Sequence, residues 1–223
     1  MKLVVLVDDN AGPGLRADRG LSVYIDSGSW RALFDAGSDP AVLEFNANAL
    51  GIDLGSLDFV VVSHHHLAHV GGLLGPVALR PGIPVYAPPG PLERLEAVGL
   101  RPIAVESARE LAPGAYSVGP LHAGAVDEMA MAVGAGAGYA LLVGCGHPGI
   151  DALARKALED LGGPLALVLG GFHSPSRDSL DALAAAAGRI CPGHCSGTAA
   201  SDYLISKYPD KYCGVRSGLV IGI

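Results

Sequence analysis

The chain has no run of lysine or arginine. Its 223 residues carry 15 Lys and Arg against 22 Asp and Glu, a formal net charge of −7. A groove that binds nucleic acid by neutralising phosphates needs the opposite balance, so no nucleic-acid partner is expected. No uninterrupted apolar stretch reaches the roughly 18 residues of a membrane span, so no membrane partner is expected either. The first apolar run, Leu3 to Val7, stops at Asp8-Asp9. That is shorter than the core of a signal peptide and lacks a small-residue cleavage site, which makes the cytoplasm the expected location. Charged residues make up only 17% of the chain and hydrophobic ones 50%, which excludes a disordered acidic chain. Repeats, low-complexity tracts and linker-like stretches are absent too, so residues 1–223 are expected to form a single domain. Cysteine is sparse at four residues, and a domain of this size does not need disulfide staples. Cys145 and Cys195 stand beside histidines, which points to packing or support at a site rather than bridging.

What is present in excess is glycine, 32 residues, together with eight histidines. The glycines follow no period, so they serve singly at turns and at close backbone approaches. Alternating or continuous β-branched patterns predict strands at 3–7, 21–25, 31–35, 57–63, 85–87, 139–143, 165–169, 189–191 and 218–223. Residues 103–133 read as short antiparallel strands broken by Pro-Gly and Gly-Pro turns. Helical spacing appears at 41–50, 91–98, 150–161, 179–187 and 198–208. The chain is thus α/β, with two sheets between helices.

Four histidine clusters share one design: an apolar strand, a short glycine-containing turn and then a histidine. They are Ser63-His64-His65-His66-Leu67-Ala68-His69, Gly144-Cys145-Gly146-His147, Gly170-Gly171-Phe172-His173 and Pro192-Gly193-His194-Cys195. Residues just past strand C-termini converge at one sheet edge, where open α/β sheets bind ligands. Imidazole is the commonest ligand for zinc and also suits iron, nickel or copper. One such histidine alone is more often a core or surface residue, but four strand-end placements together indicate a metal site. Alternation turns His65 away from His64 and His66, and His122 lies outside every cluster as a structural or exposed residue. The loop Ala11-Gly12-Pro13-Gly14 suits a surface turn better than a ligand grip.

Ser63-His64-x-His66-x-Ala68-His69 resembles the HxHxDH signature of the metallo-β-lactamase superfamily. Leu33-Phe34-Asp35-Ala36-Gly37 is similar to that superfamily's FDxG loop, and Val70-Gly71-Gly72-Leu73 to its downstream glycines. Asp127-Glu128, Gly144 to Ile150, Gly170 to His173 and His194 to Gly197 resemble a branch of short metal-dependent hydrolases. Members of that branch carry the name dihydropterinyl-methyl-ribofuranosylaminobenzene-phosphate synthase. The resemblance runs from about residue 3 to 222 and implies the metallo-β-lactamase fold, an αββα sandwich of two mixed β-sheets flanked by helices.

Carried over by position, the resemblance assigns one metal to His64, His66 and His147 and a second to His69, His194 and the signature aspartate. That aspartate is Ala68 here, and the family's metal-bridging aspartate has no match. Either His173 completes a three-histidine second site, or the second metal is weak or absent. Asp35 and His173 are the candidates for the catalytic machinery, Asp35 as the residue that holds a histidine or its loop, or else as a turn cap. The implied cofactor is one divalent transition metal or two, zinc first, with iron and manganese as alternatives. The implied activity is a metallo-hydrolase or transferase that uses a metal-activated water on a small, phosphorylated or pterin-like substrate. The alternative is an impaired metal- or ligand-binding member, natural or introduced, because of Ala68.

Overall fold

The computed structural model describes all residues 1–223. The chain divides into two compact units, 1–105 with 216–222, and 106–215 with the terminal Ile223.

The first unit is built on a seven-stranded mixed sheet. Its elements in chain order are β1 (Lys2–Val7), β2 (Ser22–Asp26), β3 (Arg31–Phe34), α1 (Pro40–Ala49), β4 (Phe59–Val61), α2 (Leu67–Val70), β5 (Pro84–Ala87), α3 (Glu93–Glu96) and β6 (Arg101–Ala104). The C-terminal strand Val220–Gly222 pairs antiparallel with β1, β1 with β2 and β2 with β3, whereas β3, β4, β5 and β6 run parallel. Continuous burial of β1 after Lys2 and of all of β4 explains their unalternating sequences. Asp39 caps α1, accepting from Ala41 N at 2.8 Å, and Pro40 sits where a missing N–H does no harm. Leu43 and Ala47 of α1 pack with Val4, Leu6, Leu33 and Val60.

The second unit carries a six-stranded mixed sheet. It comprises β7 (Arg109–Ala112), β8 (Ala115–Ala123), β9 (Val126–Ala135), β10 (Gly138–Val143), α4 (Ile150–Leu161), β11 (Leu165–Gly171), α5 (Arg177–Ala186), β12 (Ala187–Gly193) and α6 (Thr198–Lys207). Strands β10, β11 and β12 run parallel, and β7 to β10 form an antiparallel meander. Helix α4 buries Ile150, Leu153, Ala154 and Ala157 and ends at Gly162 in the left-handed region. Those residues share a core with Leu180 and Leu183 of α5 and Leu204 of α6. Truncating Leu153 there removes about 2–5 kcal/mol.

The expected two mixed sheets with flanking helices are thus present. Differences are local. The helix expected at 91–98 is a single turn, because Gly90 and Gly99 bound it and only Leu95 is buried. Residues 109–135 form longer strands than expected. Gly119-Pro120 is not a turn but an irregularity inside β8, where Val118 faces Ala130 and Leu121 faces Glu128. The bulge accommodates a proline that has no N–H for the ladder. Helix α5 starts earlier than expected because Ser176 caps it, accepting from Ser179 N at 3.1 Å. No helix is long and apolar enough to cross a membrane.

Candidate metal centre

In the first unit the site grows from the ends of the adjacent parallel strands β3 and β4. Asp35 follows β3 directly, its N–H on Val61 O at 2.8 Å and its backbone in the left-handed region at φ 54. The turn buries its carboxylate completely and aims it at the next loop. Ser63 N donates to it at 2.7 Å, Ser63 Oγ at 2.8 Å and His69 Nδ1 at 2.7 Å. Three convergent donors are what an ionised carboxylate accepts. His69 therefore carries its proton on Nδ1 and its lone pair on Nε2. Ser63 has one hydroxyl proton, given to Asp35, so its oxygen accepts from His64 Nδ1 at 2.9 Å. Asp35 thereby sets the tautomer of His69 directly and that of His64 through Ser63.

His64 Nε2 lies 3.0 Å from Nδ1 of the exposed His66. Two nitrogens on a tetrahedral zinc at 2.0–2.1 Å stand about 3.3 Å apart, so this pair fits a shared ion. The fit needs His66 in the tautomer that carries its proton on Nε2 and its lone pair on Nδ1. The single turn of α2, with His69 N on His66 O at 2.9 Å, carries His69 back to Asp35. Between them stands Ala68, half-buried, whose methyl group offers no ligand atom. His65 points elsewhere, its Nε2 on Pro88 O at 2.8 Å.

In the second unit three loops follow the C-terminal ends of β10, β11 and β12. Gly171 needs to be glycine, since a Cβ there would meet Gly144 O at 2.3 Å and Cys195 Sγ at 2.8 Å. His173 and His194 adopt φ of 49 and 43, conformations that L side chains rarely take. Ser174 N on Cys195 O at 3.1 Å and Phe172 N on Ser196 Oγ at 3.1 Å hold these loops together. The His147 and His173 rings lie 4.4 Å apart between centroids. Ligand atoms of Cys145, His147 and His173 fall within 4.8 Å of one another, as do those of Cys145, His194 and Cys195. A hydrogen bond with Cys145, aided by His194 and the His173 amide, holds the Cys195 thiol down at about 6 despite burial.

The residue that sequence reasoning missed is Glu128. The Asp127-Glu128 motif contributes to the family resemblance but by itself points to no role. Fully buried in β9, the Glu128 carboxylate accepts from Cys145 N at 2.8 Å, Gly146 N at 2.7 Å and His147 N at 2.8 Å. The only signal in the sequence is an acid placed against the apolar run Met129 to Val133. His122 is exposed and paired with Asp127 at 2.7 Å across the β8–β9 hairpin. The remaining thiols, Cys191 and Cys213, interact with each other, and none of the four cysteines forms a disulfide.

The sequence profile of the metallo-beta-lactamase superfamily matches residues 15–194, and the chain belongs to that superfamily. A Methanocaldococcus jannaschii protein named 7,8-dihydropterin-6-methyl-4-(beta-D-ribofuranosyl)-aminobenzene-5'-phosphate synthase is 26% identical over 282 residues, covering 99% of this chain and 96% of that protein. The crystal structure of a metal-dependent hydrolase of the beta-lactamase superfamily superposes at TM-score 0.84 with 26% identity, covering 100% of this chain and 99% of the other. A metallo-beta-lactamase fold protein from Bacillus subtilis gives 0.68 with 14% identity over 99% of each chain, a likeness of fold alone.

Proposed function

We propose that this chain is a metal-dependent hydrolase or transferase acting on a small, phosphorylated or pterin-like molecule in the cytoplasm, with residues 1–223 working as one domain. The observation that carries the reading is the His64 Nε2–His66 Nδ1 pair at 3.0 Å, presented by an imidazole whose tautomer Asp35 sets through Ser63. The superfamily pattern would place one ion on His64, His66 and His147, which we adopt, and a second on His69 and His194, where this chain either gains His173 as a third imidazole or holds the second ion weakly or not at all. Zinc is the first choice for such imidazole sets, ahead of iron or manganese. A divalent ion supplies a water of lowered pKa and polarises a carbonyl or phosphoryl oxygen.

The chain's own residues do the positioning. Asp35 holds His69 so that Nε2 presents a lone pair. Ser63 does the same for His64. Glu128 fixes the amides that set the direction of His147. The substrate class rests on the name of the archaeal relative, and the hydrolase reading on the likeness to the metal-dependent hydrolase of known structure. Ala68 favours a second reading, an impaired member that binds metal or ligand without turnover, because the position offers no donor to orient an attacking oxygen.

Metal content of the purified protein, with and without Ala68→Asp, tests both readings. About one tightly held transition metal per chain is expected, rising when the carboxylate is restored. No metal in either form refutes the proposal. Activity on phosphoesters and lactones, appearing or rising in the Ala68→Asp protein, supports the enzyme reading; silence across the panel in both proteins supports the impaired one.

A further inference from the structure

We propose that the second unit contains a soft, thiolate-bearing metal site built from Cys145, Cys195 and His194, which takes a zinc-like divalent ion. The proposal deepens the metal reading above and rests on it. It departs from an all-imidazole second site by giving the cysteines beside the histidines a ligand role.

The first argument is placement. Cys145 follows β10, His194 and Cys195 follow β12, and their ligand atoms lie within 4.8 Å of one another inside a single unit. A tetrahedral zinc with Zn–S near 2.3 Å and Zn–N near 2.0–2.1 Å needs separations of about 3.4–3.8 Å. Side-chain rotations that contract the group by about 1 Å suffice, and a fourth position stays open, as in catalytic Cys2His sites.

The second argument is the environment of the sulfur. His173 N–H donates to Cys195 Sγ at 3.3 Å. A backbone donor aimed at sulfur stabilises an anion there. Gly171 keeps the approach to that sulfur clear, since its missing Cβ would stand 2.8 Å from it.

The third argument is charge. Three imidazoles on a divalent ion leave two positive charges uncompensated, here at a site whose Cys145 side is buried. Asp35 and Glu128 each already receive three hydrogen bonds from the chain. Two thiolates supply the missing negative charges and make the loaded site neutral. On binding, each cysteine releases its proton to water as its sulfur–metal bond forms, two protons per ion.

The test uses the full chain under reducing, oxygen-free conditions with cobalt(II) as the probe. A thiolate on cobalt gives an intense near-ultraviolet charge-transfer band that imidazole alone does not. The band is expected in the wild-type protein, lost in Cys145→Ser and Cys195→Ser, and kept in Cys191→Ser and Cys213→Ser. Should the site variants misfold, alkylation of the wild-type protein followed by peptide mapping decides. Added cobalt should shield Cys145 and Cys195 and leave the labelling of Cys213 unchanged. Cobalt bound in stoichiometric amount with no band, or with no shielding, overturns the thiolate site and leaves the metal reading standing. Absence of any bound cobalt overturns both.

Discussion

Replacing Glu128 by glutamine changes one atom of a fully buried side chain and should loosen a loop without touching the core. The carboxylate takes Cys145 N and Gly146 N on Oε1 and His147 N on Oε2. In Glu128→Gln the amide oxygen can keep the first two donors as weaker neutral bonds, a loss of about 0.5–1 kcal/mol each given that charged bonds contribute about 1.5–3 kcal/mol. The amide nitrogen then faces His147 N–H, donor against donor, and a buried unsatisfied group costs about 1–3 kcal/mol. The total is about 3 kcal/mol. At about 1.4 kcal/mol per factor of ten, amides 145–147 should exchange on the order of 100-fold faster through local opening. Hydrogen exchange read by mass spectrometry on the peptide spanning these residues measures it, with the β1 peptide as an internal reference. Acceleration of less than about threefold, or equal acceleration across the whole chain, refutes the claim that this carboxylate holds this loop.

Two further outcomes follow from the hydrogen bonds. Asp35→Asn keeps the size and tolerates the positive φ, so it isolates the charge. His69 should lose its fixed Nδ1–H tautomer, visible in nitrogen-15 NMR of the imidazole, with a stability loss of about 2–4 kcal/mol; an unchanged tautomer contradicts the assignment. Asp181 joins α5 to α6 by accepting from Lys207 Nζ at 2.7 Å, Tyr203 OH at 2.8 Å and Tyr208 OH at 2.9 Å, and these bonds, Lys207 first, pull its carboxyl below the ordinary value. A lowered folded-state pKa means that the stabilisation is full above the unfolded value and fades as pH falls through the folded one. Protection of the α6 amides, relative to their intrinsic exchange rate at each pH, should therefore fall on acidification in the wild type and stay flat in Asp181→Asn, and identical profiles exclude the mechanism.

Periodicity locates what packing alone decides. The apolar stripe of α4 between Gly149 and Gly162 is visible residue by residue, because helical spacing and helix-ending glycine coincide there. The same reasoning overruns at 91–98, where one buried leucine does not make a face, and stumbles at Gly119-Pro120. A glycine-proline pair signals a turn from local conformation alone. Whether the chain turns or bulges is decided by the partner strand, which local sequence does not contain. For the site, the strand–glycine–histidine design is legible because it is local. The grip of Glu128 is less so. The donors on Glu128 are backbone amides of residues 17 to 19 positions away, and an amide has no letter of its own in a sequence.

The same reasoning accounts for the bent backbone at the loop tips. Four non-glycine residues lie in the left-handed region, Asp35, His173, Ser174 and His194. Three of them stand out in the sequence by chemistry, none by conformation. Each such residue carries strain of about 1–3 kcal/mol that the surroundings must hold. The surroundings here are specific: Val61 O on the Asp35 amide, Cys195 Sγ on the His173 amide and Cys195 O on the Ser174 amide. At Asp35, His173 and His194 glycine would relieve the strain, but it would remove the carboxylate or the imidazole. The positions are therefore ones where chemistry outweighs conformational preference, and there turn propensity and side-chain identity give opposite advice.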